Sequence, residues 1–139
     1  MFYIDLYGRW PQKRRFEDFA ENCVNHFFKR DLKRTIIIDV SMKRDLKNYL
    51  GLCDGNRNEV IIEIARNYDG EREPLDHIAK TLAHELVHAK QFIRGEINDR
   101  NYIYKRGPHK IDCSKTPYSK QPWEIEAYEL QEELFELYW

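Results

Sequence analysis

The segment "EPLDHIAKTLAHELVHAKQFIRG", residues 73–95, constrains the fold more than any other part of the chain. Leu75, Ile78, Leu82, Leu86 and Ile93 recur at helical spacing, so one face of the segment packs on other elements. Pro74 suits a first helical turn, Asp76 suits its positive end and Gly95 suits the stop. His84 and His88 project from a different side, flanked by Leu86, Val87 and Phe92, on a side that also carries Thr81 and Gln91. Two imidazoles in an apolar stretch are costly unless something satisfies their nitrogens. The fold must therefore place this helix centrally and bring polar partners to it.

His84, Glu85 and His88 form the pattern H-E-x-x-H. Positions i and i+4 lie one above the other on a helix, so both imidazoles can reach one metal ion. Glu85 lies roughly 100° further round. It is poorly placed as a third ligand but well placed as a general base towards a water in the metal's open position. A catalytic zinc site needs a third protein donor, and the C-terminal segment "PWEIEAYELQEELFELYW" contains six glutamates. If Trp123, Ala127, Leu130, Leu134 and Leu137 define its buried stripe, Glu126 lies nearest that stripe, with Glu133 second. Glu124 falls in the first turn, where a carboxylate is stabilised by free N–H groups and the helix dipole. The helical angle selects Glu126 as the ligand, with Glu124 as its rival.

The remaining elements are simpler. "QKRRFEDFAENCVNHFFKR" places Phe16, Phe19, Ala20, Cys23, Val24, Phe27 and Phe28 on one helical face, with His26 beside it in a structural position. "TIIIDV" (35–40) reads as a buried strand. Leu50 to Cys53 and Glu59 to Arg66 read as a hairpin turning at Asp54-Gly55-Asn56, with Val60, Ile62 and Ile64 on one face and Glu63 on the other. Residues 95–121 read as a long loop, and Pro122 opens the last helix. The expected fold class is α+β in a single domain, residues 1–139: an N-terminal helix, a small, mostly antiparallel three-stranded sheet, the H-E-x-x-H helix, a long loop and a C-terminal helix.

Hydrophobic residues make up 42% of the 139 and aromatics 14%, which excludes a disordered chain. "MFYIDLYGRW" is interrupted by Asp5 and Arg9, and no apolar run approaches the ~20 residues of a membrane span. Cys23, Cys53 and Cys113 have no ligand spacing and read as free thiols, which predicts a cytoplasmic location. Residues 1–50 hold eleven Lys or Arg against seven Asp or Glu, whereas residues 122–139 hold six Glu and no Lys or Arg. The basic stretches "PQKRRF" and "KRDLKR" would suit an acidic partner such as nucleic acid, although no nucleic-acid-binding motif accompanies them.

"TLAHELVHAKQ" followed by "PWEIEAYELQ" resembles the small H-E-x-x-H metallopeptidases of the gluzincin type: minigluzincins, the phage and bacterial SprT-like proteins and, more distantly, the ImmA/IrrE group. The resemblance runs over roughly residues 59–131. It implies a peptidase with one zinc ion per chain acting on a protein or peptide substrate. His84, His88 and Glu126 would be the metal ligands and Glu85 the general base. The substrate would lie against Glu59 to Arg66 as an edge strand, and Tyr118 would stabilise the oxyanion, with Tyr102 and Tyr104 as alternatives. The chain departs from the pattern in two places. Leu130 stands where gluzincins carry an acid that orients a histidine. His109, the one histidine downstream of the motif, does not sit in a segment like the SprT third-ligand region. The competing expectation is an inactive zincin scaffold that serves as a binding or structural protein. His77 lies two turns from His84, too far to share its metal.

Overall fold

A computed structural model describes all residues except 29–32, 99–102, 107–108 and 114. Three helices and a mixed five-stranded sheet make up its body, an α+β arrangement. Strand β1 (Phe2–Tyr7) leads into helix α1 (Lys13–Phe27), then β2 (Ile36–Asp45), β3 (Gly51–Gly55), β4 (Glu59–Tyr68) and the two-residue β5 (Glu71–Arg72). Helix α2 (Leu75–Ile93) follows. After it come β6 (Ile97–Asn98), β7 (Ile103–Arg106), β8 (His109–Asp112), a 3₁₀ turn at Tyr118–Lys120 and helix α3 (Pro122–Tyr138).

The sheet runs in the order β1-β2-β4-β3, with β5 paired to β4. Strands β1, β2 and β4 are mutually parallel, and β3 and β5 pair antiparallel with β4. This corrects the three-stranded, mostly antiparallel sheet expected above. The added strands are β1, where Phe2, Ile4 and Leu6 alternate with the more exposed Tyr3, Asp5 and Tyr7, and the two-residue β5. The expected edge also moves: β4 is internal, between β2 and β3, and β3 is the outer strand beside α2. The stretch 95–121 is likewise more than a loop, since β6, β7 and β8 form a small antiparallel sheet.

Period-two alternation fixes the sheet's two faces. Ile36, Ile38, Val40, Val60, Ile62 and Ile64 are buried towards the helices, whereas Ile37 and Ile61 face outward. Helix α2 occupies the centre, in contact with α1, α3, β3 and β4. That is why almost every side chain from Leu82 to Ile93 is buried, polar ones included. Gly95, at φ +69°, ends the helix in the left-handed conformation that glycine adopts without strain. Among the described residues no helix is long and apolar enough to cross a membrane.

Candidate metal centre

Helix α2 presents His84 and His88 to the first turn of α3. The two Nε2 atoms are 3.2 Å apart. Glu124 Oε1 lies 2.6 Å from His88 Nε2, and Glu124 Oε2 lies 3.3 Å from His84 Nε2. All three side chains are buried, with His84 7%, His88 9% and Glu124 6% exposed.

The other ring nitrogens reveal the tautomers. Gln91, fully buried, directs its Nε2 at two acceptors, the Trp123 carbonyl at 2.9 Å and Glu126 Oε1 at 3.1 Å. Its Oε1 therefore faces His88 Nδ1 at 2.8 Å and accepts a hydrogen bond from the protonated Nδ1. Gln131 repeats the device: its Nε2 faces Glu132 Oε1 at 3.2 Å, and its Oε1 lies 2.8 Å from His84 Nδ1. With both Nδ1 atoms protonated, each neutral ring turns its Nε2 lone pair towards Glu124. Two imidazole lone pairs and a carboxylate then converge in a buried space, which is stable only with a cation among them. The three side chains offer ligand atoms all within 4.8 Å of one another, so His84, His88 and Glu124 could hold a metal ion.

Burial opposes the charged form of His88, but the hydrogen bond to Glu124 and the nearby carboxylates outweigh it and raise the pKa. Burial likewise pushes Glu124 up, yet the imidazoles of His84 and His88 hold it well below the usual carboxylate range. Glu85 is also buried and its pKa is raised by that burial, with the two imidazoles pulling it back and Glu124 adding to the rise.

The group that could hold a metal ion contains Glu124, where helical angle selects Glu126. Glu126 accepts from Lys90 Nζ at 2.6 Å and from Gln91 Nε2 at 3.1 Å. The apolar stripe was centred too far round: Leu137 is 56% exposed, while Glu124, Ala127 and Leu134 are buried and Gln131 partly so. On a helical wheel this moves the buried face roughly 40° towards Glu124. A first-turn side chain also leans back past the helix N-terminus, where the histidines stand.

Tyr118 lies beside Glu124. Although half-exposed, its hydroxyl is directed at Glu124 and Tyr128, and burial together with those two contacts raises its pKa. Tyr102 lies outside the described residues, as do the side chains of Tyr104 and His109. His77 sits apart, 3.2 Å from Glu73. His26 bonds Tyr138 at 2.8 Å, in the structural position expected. Sequence reasoning placed Gln91 on the histidines' side without assigning it a role, and missed Gln131, Gly51 and Tyr128. Gln91 falls one turn after His88, and Gln131 two turns after Glu124, so spacing alone could have nominated both.

A cleft with a cavity volume of about 390 Å³ opens beside His84 and Glu85. Its wall includes Gly51 of β3, which approaches α2 so closely that a Cβ there would lie 2.8 Å from Thr81 Cγ2 and 2.9 Å from Glu85 Cγ. Real side chains do not tolerate such contacts. Gly51→Ala is expected to displace Glu85 or lift β3 and to reduce any Glu85-dependent turnover by about 100-fold with metal content unchanged. Kinetics alongside metal analysis check this, and unaltered turnover would contradict it. Gln91→Leu is expected to leave His88 Nδ1–H without its acceptor and to weaken metal binding by about 10–100-fold. Competition with a chromogenic chelator measures it; unchanged affinity would show that Gln91 does not orient His88.

No family model, no curated protein and no solved structure matches this chain. The likeness to small gluzincins therefore rests on the motif residues themselves.

Proposed function

We propose that this chain is a zinc-dependent peptidase. The observation that supports it best is the set of two Nδ1-locked imidazoles and one carboxylate converging beside a buried glutamate at the wall of a cleft. Two nitrogens and one oxygen suit zinc better than the hard, all-oxygen-seeking cations. Bound zinc would supply Lewis acidity that polarises a carbonyl and makes water nucleophilic near neutral pH.

The chain's own residues do the rest. Gln131 and Gln91 hold the His84 and His88 rings in register. Glu85 takes a proton from the attacking water and returns it to the leaving amine. Tyr118, whose raised pKa keeps it protonated, donates a hydrogen bond to the oxygen that develops negative charge on the substrate. Among the described residues the outer edge of β3 has no neighbour in the sheet, so an extended substrate can pair with it along the cleft.

The test is metal dependence of peptide-bond cleavage. Zinc-loaded protein should cut an unfolded substrate such as reduced, alkylated casein. Chelation should abolish cutting, and one equivalent of zinc should restore it. No cleavage of a broad peptide pool by the zinc-loaded chain would overturn the reading.

A further inference from the structure

The sheet residues that turn away from the helices line up by register. Tyr3 lies beside Ile37 and Ile37 beside Glu59; Asp5 lies beside Asp39 and Asp39 beside Ile61; Tyr7 lies beside Ser41 and Ser41 beside Glu63. Strand β3 extends the last two rows, with Asp54 beside Ile61 and Leu52 beside Glu63. Tyr3, Tyr7, Ile37 and Leu52 are exposed, and Ile61, on an internal strand, is 60% exposed. Parallel strands are ordinarily covered on both faces. Here the inward residues of β1, β2 and β4 are buried, and the outward apolar ones stand in water.

This face is also acidic. Asp5, Asp39, Asp54, Glu59 and Glu63 stand among its apolar side chains, and Lys43, one row further along β2, is the one cation that these strands place on it. Among the described residues the ion pairs of Lys and Arg lie elsewhere: Arg14 with Asp18, Lys80 with Glu132, and Lys90 with Glu96 and Glu126. Asp5 and Asp39 occupy adjacent strands, about 4.8 Å apart across the sheet, where like charges repel. Tyr7 registers the field: the charge of Asp39, and then that of Asp5, raises its pKa.

Charge and shape together define what fits. Nucleic acid and anionic lipid are repelled. A second copy has no suitable element: the apolar face of its basic helix α1 is buried in its own core, and α3 carries six Glu and no Lys or Arg. Four strands span about 14 Å, which matches one helix of about 10–12 Å diameter. We infer that the outer sheet face docks a basic amphipathic helix of another protein, its apolar stripe over Ile37, Ile61 and Leu52 and its Lys or Arg side chains beside Asp5, Asp39, Asp54 and Glu63. The sheet separates this surface from the His84, His88 and Glu124 group, and the inference does not rest on the peptidase reading.

The probe is a fluorescein-labelled, helix-forming peptide with a leucine stripe flanked by lysines. Anisotropy follows its binding to the full chain carrying Glu85→Gln, so that the probe stays intact whether or not the wild type cuts peptides. One control peptide has glutamate for every lysine, and another has glutamine for every leucine. The probe should bind, and each control should bind at least about tenfold more weakly. Asp5→Asn/Asp39→Asn and Ile61→Ser, added separately, should each weaken the probe by about tenfold, with metal content and circular dichroism unchanged. Added salt should weaken the probe less in Asp5→Asn/Asp39→Asn than in its absence. No binding, equal binding of either control, or an affinity that neither variant alters overturns the assignment. A dimer of the chain alone that Ile61→Ser dissociates would put a second copy on this face and overturn it too.

Discussion

Glu124→Ala is expected to abolish tight binding of a divalent metal, whereas Glu126→Ala weakens it by at most the ~10–100-fold typical of residues that orient a ligand. The contrast follows from where the two carboxylates point. Glu124 stands 2.6 Å from His88 Nε2 and 3.3 Å from His84 Nε2, so it supplies the third donor directly. Its loss leaves two imidazoles, too few for a stable buried ion. Glu126 acts one step back, by holding the Gln91 amide that orients His88. Its removal also leaves Lys90 paired, because Glu96 lies 2.8 Å from the same ammonium. The protein should therefore fold without Glu126. Metal titration of both variants against a competing chelator decides the matter, and the reverse ranking would show that α3 meets α2 in a different register.

Glu85→Gln should leave metal content unchanged and lower peptide cleavage by about 10²–10⁴-fold, the contribution typical of a general base. Glutamine keeps the volume and the contact with Gly51, so the wall of the cleft stays intact. It cannot accept the water's proton. It also relieves the desolvation that pushes the Glu85 carboxyl up, so the variant should be no less stable than wild type. Loss of metal in this variant would make Glu85 a ligand. Full cleavage would remove it from the chemistry.

The parts of the fold that were legible in the sequence are those with strong local periodicity. Helix α1 with its phenylalanine face, the β3–β4 hairpin, α2 with its Gly95 stop and α3 opened by Pro122 all formed where pattern and capping place them. What periodicity cannot supply is pairing between distant strands. Nothing local to "TIIIDV" tells it to lie parallel between β1 and β4, since that order depends on contacts across the whole sheet. Strand β1 was nonetheless written in the Phe2-Ile4-Leu6 alternation, which the charges at Asp5 and Arg9 obscured.

The metal group was half legible for a related reason. His84 and His88 come from one helix, where spacing determines geometry. The third donor comes from another helix, whose rotation depends on which residues it buries. Apolar residues alone set that rotation wrongly, because this interface also buries polar groups, Glu124 and Gln91, and draws Gln131 into contact with His84. Beside Leu130, Gln131 places a neutral acceptor 2.8 Å from His84 Nδ1, which fixes the tautomer without adding charge.

The most direct test of the central claim, that His84, His88 and Glu124 hold a metal ion, is elemental mass spectrometry of the purified chain grown with added zinc, beside a His84→Ala/His88→Ala control. The proposed function predicts about one zinc per chain, lost in the control. Metal-free wild-type protein, or equal metal in both samples, would contradict it.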